Sequence, residues 1–308
     1  MINRNLIRIR IVQIAYSWYQ NRNKDLRSVE KELLMGLQKS YDLYYYLLLL
    51  MVELTRTYEA RVETKRNKYL PSEEDLNPNT RIIDNRFIKQ LEQNRQFKGY
   101  LSDRPMSWDD HDTYVKKLLD DILASKTYDE YANGDAVGYE IDKDFWRKIF
   151  KDFIYNDETL DEILEDESIF WNDDVEIVQS FVMKSIRQFS EKNGESQKLL
   201  PMFRDDEDRQ FALKLMHNTI LSESKYRELI ERHSEKWDFE RIAFMDMIIM
   251  QVAIAEILTF EDIPTSVTMN EYIELAKSYS TPKSGTFING ILDAVVSDLK
   301  REKVIIKS

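Results

Sequence analysis

Cysteine does not occur among the 308 residues, which excludes disulfides, thiolate metal sites and a cysteine nucleophile, and fits a reducing compartment, the cytoplasm. Glycine and proline are scarce, at seven and six. Turns are therefore few, and with Leu, Ile, Glu, Lys and Tyr dominating, long helices are favoured over a strand-rich sandwich. The three histidines, His111, His217 and His233, have no His, Cys or carboxylate partner at metal-ligand spacing. The one strongly apolar run, "LYYYLLLLMV" from Leu43 to Val52, is well short of the ~20 residues that span a bilayer and reads as a buried helix. At the N-terminus Arg4, Arg8 and Arg10 interrupt the apolar residues, so the clean hydrophobic region of a secretory signal is missing. The expectation is an all-α protein with no membrane partner and no cofactor.

What is present is a core-building composition, 43% apolar, on a length that suggests about two domains. The net charge of −12 is unevenly spread. Residues 1 to 100 carry 18 Lys and Arg against 12 Asp and Glu, whereas the remaining 208 carry 26 against 44. A generally acidic chain repels nucleic acid, so any RNA contact must use local basic surface, and the N-terminus is the place to look.

Loop-like stretches fall at 70–80, 99–110, 131–140 and 191–208, with helical patterning between them. Residues 151 to 176 hold eleven acids and a single base, Lys151, yet apolar residues such as Leu160, Ile163, Leu164 and Trp171 are interleaved, so this segment predicts an acidic helical surface rather than a tail. Three segments starting at Asp42, Asp112 and Asp208 share a rhythm of acid, aromatic and Leu-rich helix that ends in Tyr58, Tyr128 and Tyr226. This fits either an internal duplication or the general likeness of amphipathic Leu/Tyr helices.

Near the C-terminus, "SVTMNEYIELAKSYSTPKSGTFINGILDAVV" (Ser266 to Val296) gathers Pro, Gly, Asn and Lys. Thr268 followed by Glu271 predicts a capping box and a helix from Met269. Pro282 predicts the first position of a second helix. Gly290 inside that helix costs about 1 kcal/mol relative to Ala, which predicts a close backbone approach there by a neighbouring helix or a ligand.

These residues resemble the C-terminal signature of the transcription antitermination factor NusB family: a Pro-led lead-in, Asn-Glu, Glu-Leu-Ala-Lys, a polar linker ending in Lys-Ser, then Phe-Ile-Asn-Gly-Ile-Leu-Asp. Upstream, "RIAFMDMIIMQVAIAEIL" (241–258), "DRQFALKLMHNTILSESKYRELIERH" and the N-terminal "RIRIVQIAYSW" are similar to preceding family helices, in the same order. The resemblance implies a NusB-like helical bundle core, residues 1–38 plus 205–308, carrying a helical insertion at 39–204. It implies a non-enzymatic factor that binds boxA-type RNA of ribosomal RNA transcripts together with NusE, a small-subunit ribosomal protein, within the RNA polymerase antitermination complex.

Arg4, Arg8 and Arg10 are expected at the exposed start of the first helix, with Gln13 on its polar stripe and Tyr16 bordering it. Arg neutralises phosphate, Gln reads base edges and Tyr stacks, as single-stranded RNA requires. The family implies further RNA contact around Asp246, Gln251, Lys283, Ser284, Phe287 and Asn289. The family commonly has Asp-Arg and Leu-Arg where this chain has Asp246-Met247 and Met250-Gln251, so two cations are missing, and Arg56, Arg61, Lys65, Arg66 and Lys68 are expected to form a basic helix end. The acidic residues Asp161, Glu162, Glu165, Asp166 and Glu167 are expected to meet a basic partner or to repel non-specific nucleic acid. Two other readings compete. The aspartates at 109–112, 120–121 and 172–174 lack the repeated spacing of all-α prenyl-chain enzymes. A helical protein-interaction module that has lost RNA binding is the remaining alternative.

Overall fold

The computed structural model describes residues 1–21, 25–234 and 242–307. Among them all regular structure is helical, apart from one isolated bridge between Ile2 and Phe203, as the scarcity of turn residues predicts. In chain order the helices are α1 Arg4–Gln20, α2 Leu26–Arg66, α3 Glu73–Leu76, α4 Arg86–Gln93, α5 Arg95–Asp103, α6 Asp112–Leu123, α7 Lys126–Asn133, α8 Tyr139–Ile149, α9 Glu158–Glu167, α10 Val175–Gln188, α11 Asp206–Leu221, α12 Glu223–His233, α13 Phe244–Thr259, α14 Thr265–Tyr279 and α15 Ser284–Arg301. Two compact units result: Lys39–Met202 with Met1, and Ile2–Gln38 with Phe203–Ser308. No helix of the described residues is long and apolar enough to cross a membrane.

In the Lys39–Met202 unit, the apolar run Leu43–Val52 is buried along α2, each fully buried side chain contributing about 1.5–3 kcal/mol relative to exposure. Aromatic rings fill the space around it. Tyr45 stacks on Tyr100 with centroids 3.7 Å apart, and Tyr46 on Trp108 at 4.1 Å. The polar ends of these rings find partners: Tyr100 donates to Asp42 Oδ1 at 2.5 Å, and Trp108 Nε1 to the Tyr46 carbonyl at 3.2 Å. Asn side chains do the work of the missing glycines at helix junctions. Asn94 closes α4 and caps α5 by accepting from Phe97 N, while its amide donates to the Gln197 carbonyl at 2.6 Å. α5 runs to Asp103, so the expected loop at 99–110 begins later. The three similar segments do not share an architecture. Asp42 lies inside the single long α2, the segment from Asp112 breaks into α6 and α7 at Ser125, and the segment from Asp208 breaks into α11 and α12 at Ser222.

The second unit is centred on α13, where every residue from Ile248 to Ile257 is buried. A helix apolar on all sides belongs at the centre of a bundle, and α13 packs against α1, α11, α12, α14 and α15. α1 is also buried on most of its surface, Ile7, Ile9, Ile11, Val12 and Ile14 all being in the core. His233 at the end of α12 lies 2.8 Å from the Leu229 carbonyl and 2.7 Å from Asp298 Oδ2, tying α12 to α15.

Two helix starts differ from the sequence expectation. α14 begins at Thr265 after Pro264 rather than at Met269. Thr268 lies one turn inside and is buried, and its hydroxyl bonds to Glu256 instead of capping a helix end. α15 begins at Ser284, not Pro282, because Thr281–Ser284 close a turn in which Ser284 N donates to the Thr281 carbonyl at 2.9 Å.

Candidate nucleic-acid interface

The strongest polar feature of the Ile2–Gln38 and Phe203–Ser308 unit is buried. Glu256 on α13 is fully buried and accepts from Arg8 Nε and Nη2, each at 2.8 Å, from Thr268 Oγ1 at 2.9 Å and from Tyr272 OH at 2.9 Å. Arg8 Nη1 adds Glu271 at 3.3 Å. Burial alone would lower the Arg8 pKa, but the hydrogen bonds and charge of Glu256 outweigh it and hold the group above its ordinary value. Burial, and then the Glu256 charge, push the Tyr272 hydroxyl well above the ordinary range, so it stays a donor. The arrangement is a charged clamp joining α1, α13 and α14. Glu256 and Tyr272 escaped the sequence reading, and Thr268 was read as a cap, because Glu256 lies across a helix junction from both.

This clamp corrects the expectation for the N-terminal arginines. Arg8 is 4% exposed and Arg10 2%, since α1 has core on both sides rather than one solvated face. Arg10 donates to Gln13 at 2.8 Å and lies against Gly36 of α2, where an added Cβ would come within 2.8 Å of Arg10 Cδ. Gly36 thus makes room for the guanidinium stem. Of the three arginines, Arg4 alone keeps substantial access: its side chain is 33% exposed, 3.8 Å from Asp208 and over the Phe211 ring.

An accessible surface forms where the first turn of α13 meets α1 and α15. On one side Phe244 contacts Tyr16 of α1 edge-to-face, with centroids 5.4 Å apart and planes at 65°, and both rings are open to solvent, at 43% and 39%. On the other side Asp246 accepts from Ser284 Oγ at 2.8 Å. Asp246, Ser284 and Gln251 are buried, a second correction to the expected surface set. Asp246 Oδ1 and Gln251 Oε1 have no hydrogen-bond partner among the described residues. Lys283 and Asn289 are exposed, and Phe287 and Gln13 are half-buried.

Nothing lies within 4 Å of a Cβ built on Gly290, whereas Gly285 faces Ile273 and Lys277 side chains at 3.6 Å. No neighbouring helix of the described residues therefore makes the approach expected at Gly290, and the Asn289–Gly290 face of α15 is open. Gln251 is buried, so the position where the resemblance implies an arginine lies in the core of this chain.

Charge distinguishes this surface. No Asp or Glu precedes Asp25, and none lies between Glu274 and Asp293. The two acids of α13, Asp246 and Glu256, are both buried. In a chain of 56 acids, this face presents none from those segments. Phe244 is the member that sequence reasoning missed, and the available signal was an aromatic at the start of a largely apolar segment. Arg241, the first residue of the family-like segment there, lies outside the described residues.

The insertion-side calls divide. Arg56 is bound to Glu53 at 2.6 Å and to Glu92 at 2.7 Å, Arg61 to Asp120 at 2.5 Å and Lys68 to Asp75 at 3.0 Å. Three of the five expected cations are thus neutralised by neighbouring helices. Asp161, Glu162, Glu165, Asp166 and Glu167 are all exposed on α9. Asp157 and Glu158 add like-charge repulsion to partial burial at Asp161 and raise its carboxyl above the usual range.

Among the described residues, this all-α bundle places two solvent-open rings, an α1 without acids and a first turn whose acid is buried at the start of its central helix. A family model described as the NusB family matches residues 173–297, a span that begins just before α10. The transcription antitermination protein NusB of Salinibacter ruber is 38% identical over 124 residues, covering 38% of this chain and 78% of that protein. That of Natranaerobius thermophilus is 43% identical over 94 residues, covering 30% and 68%. A solved structure of T. maritima NusB is 31% identical and covers 38% of this chain and 82% of that one, with a TM-score of 0.30. The chain belongs to the NusB family.

Proposed function

We propose that this protein is a transcription antitermination factor whose core, residues 1–38 plus 205–308, binds boxA-type single-stranded RNA of ribosomal RNA transcripts together with NusE, within the RNA polymerase antitermination complex. The observation that carries this reading is the surface at the first turn of α13, where Tyr16, Lys283 and Asn289 are exposed on adjoining helices and both acids of α13 are buried. Lysine meets phosphate, the ring stacks and the amide reads base edges. The hydrogen bond from Ser284 Oγ to Asp246 Oδ2 supports the wall behind it. The helices at 39–204 are the insertion, and the acidic face of α9 is its candidate contact with basic NusE.

Burial of Arg8 and Arg10 leaves few phosphate contacts, so binding is weak without NusE. With about two or three contacts the slope of log K against log salt is roughly −1.4 to −2.1. Anisotropy titration of the purified chain with labelled boxA-type RNA, with and without NusE, tests this. Micromolar binding that ignores salt overturns it. The same burial favours the second reading, a protein-interaction module without RNA binding, and NusE capture with no RNA affinity at any salt establishes that alternative.

A further inference from the structure

We infer that Phe244 is a base-stacking residue that, with Tyr16, forms a two-ring platform for consecutive unpaired nucleotides; this rests on the RNA reading above. Phe244 is the first residue of α13, a helix buried from Ile248 onward. A ring whose purpose was packing would be placed on that buried stretch. Instead it is 43% exposed and touches Tyr16, itself 39% exposed. An exposed aromatic pair keeps apolar surface in water, and every nucleobase offers a face that can cover it.

The occupant follows from charge and angle. Tyr16 lies on α1, which carries no acid, and the turn that holds Phe244 is joined through Asp246 to Ser284, next to exposed Lys283. An anionic strand can therefore approach here even though the chain as a whole carries a net charge of −12. The ring planes meet at 65°, so bases stacked one on each ring are tilted apart by a similar angle and cannot remain stacked on each other. The platform thus selects a bent, unpaired dinucleotide step and rejects duplex, in which successive bases are parallel.

The test uses the full chain and a short unstructured boxA-type RNA, with the parent, Phe244→Ala, Phe244→Trp and Tyr16→Ala compared by anisotropy. Loss of one base–aromatic stack weakens binding about tenfold in Phe244→Ala, and Phe244→Trp restores it. Abasic substitution along the RNA finds one nucleotide whose base matters to the parent and no longer matters to Phe244→Ala. Thermal melts of the variants match the parent, because the ring is outside the core. RNA of the same sequence annealed to its complement competes poorly with the single strand. A parent that binds RNA while Phe244→Ala binds equally well overturns the platform and leaves the RNA reading standing; in that case the ring is free for a protein partner. A parent that binds no RNA overturns both.

Discussion

At Arg8 the desolvation of a guanidinium is offset by two hydrogen bonds to Glu256 and a contact with Glu271. Removing one partner of such a pair strands the other in a dry site, which costs about 3–5 kcal/mol. Arg4, one turn earlier and a third exposed, has a 3.8 Å contact with Asp208 and lies over the Phe211 ring, contacts that at such exposure are worth about 0–1 kcal/mol each. Arg8→Ala is therefore expected to destabilise the protein by about 3–5 kcal/mol and Arg4→Ala by less than about 2 kcal/mol, read from urea midpoints. Glu256→Gln is expected to fall between them, since the amide keeps an acceptor but loses the charge. Equal midpoints for the two arginine variants contradict the clamp. Charge reversal at Arg8, which the sequence alone would treat as a surface change, is expected to prevent folding.

Helices, more than their ends or their neighbours, were legible in the sequence. Leu43–Val52 reads as buried helix and is buried, because a continuous apolar run leaves no solvated alternative. The starts of α14 and α15 were misplaced by a few residues, since Thr268 and Pro282 satisfy local cap rules while the chain satisfies a distant one: Thr268 is needed by Glu256 on another helix. Arg8 and Arg10 fail for the same reason, as a wheel of α1 alone shows two faces but not that both are covered. Local patterning did suffice where nothing packs, and the five acids of α9 are exposed as their spacing implies. At that element, neutralising Asp161, Glu162, Glu165, Asp166 and Glu167 to the matching amides is expected to slow association with basic NusE at low ionic strength. The difference should shrink as the Debye length falls to about 8 Å near 0.15 M salt. Stopped-flow association rates measure it. A neutralised variant that keeps the parent's rates but binds non-specific RNA more tightly shows the face to be a shield instead, and one unchanged in both assays shows it to be merely solvated.

Across the whole molecule, the absence of cysteine and the scarcity of turn residues are matched by 17 tyrosines, many of them built into the interior with their hydroxyls bonded. Burial is the first cause that raises the hydroxyls of Tyr44, Tyr45, Tyr46, Tyr114 and Tyr131 above the ordinary range, and carboxylates such as Asp157 beside Tyr114 and Asp142 beside Tyr131 add to it. Tyr272 behaves likewise beside Glu256. Such groups are neutral in the folded chain and ionise at about pH 10 once unfolded. Their contribution to stability is fully present below that pH. Above it the unfolded state has lost protons that the native state retains, so stability falls as pH rises toward the folded values. Alkaline titration is therefore expected to show a minority of the tyrosines ionising gradually, followed by a steep rise in phenolate absorbance that coincides with loss of helical circular dichroism. Tyr272→Phe is expected to lessen this alkaline sensitivity while costing some stability at neutral pH, because the Glu256 carboxylate loses one of its buried donors. Smooth titration of all the tyrosines with the helical signal intact contradicts the burial on which this expectation rests.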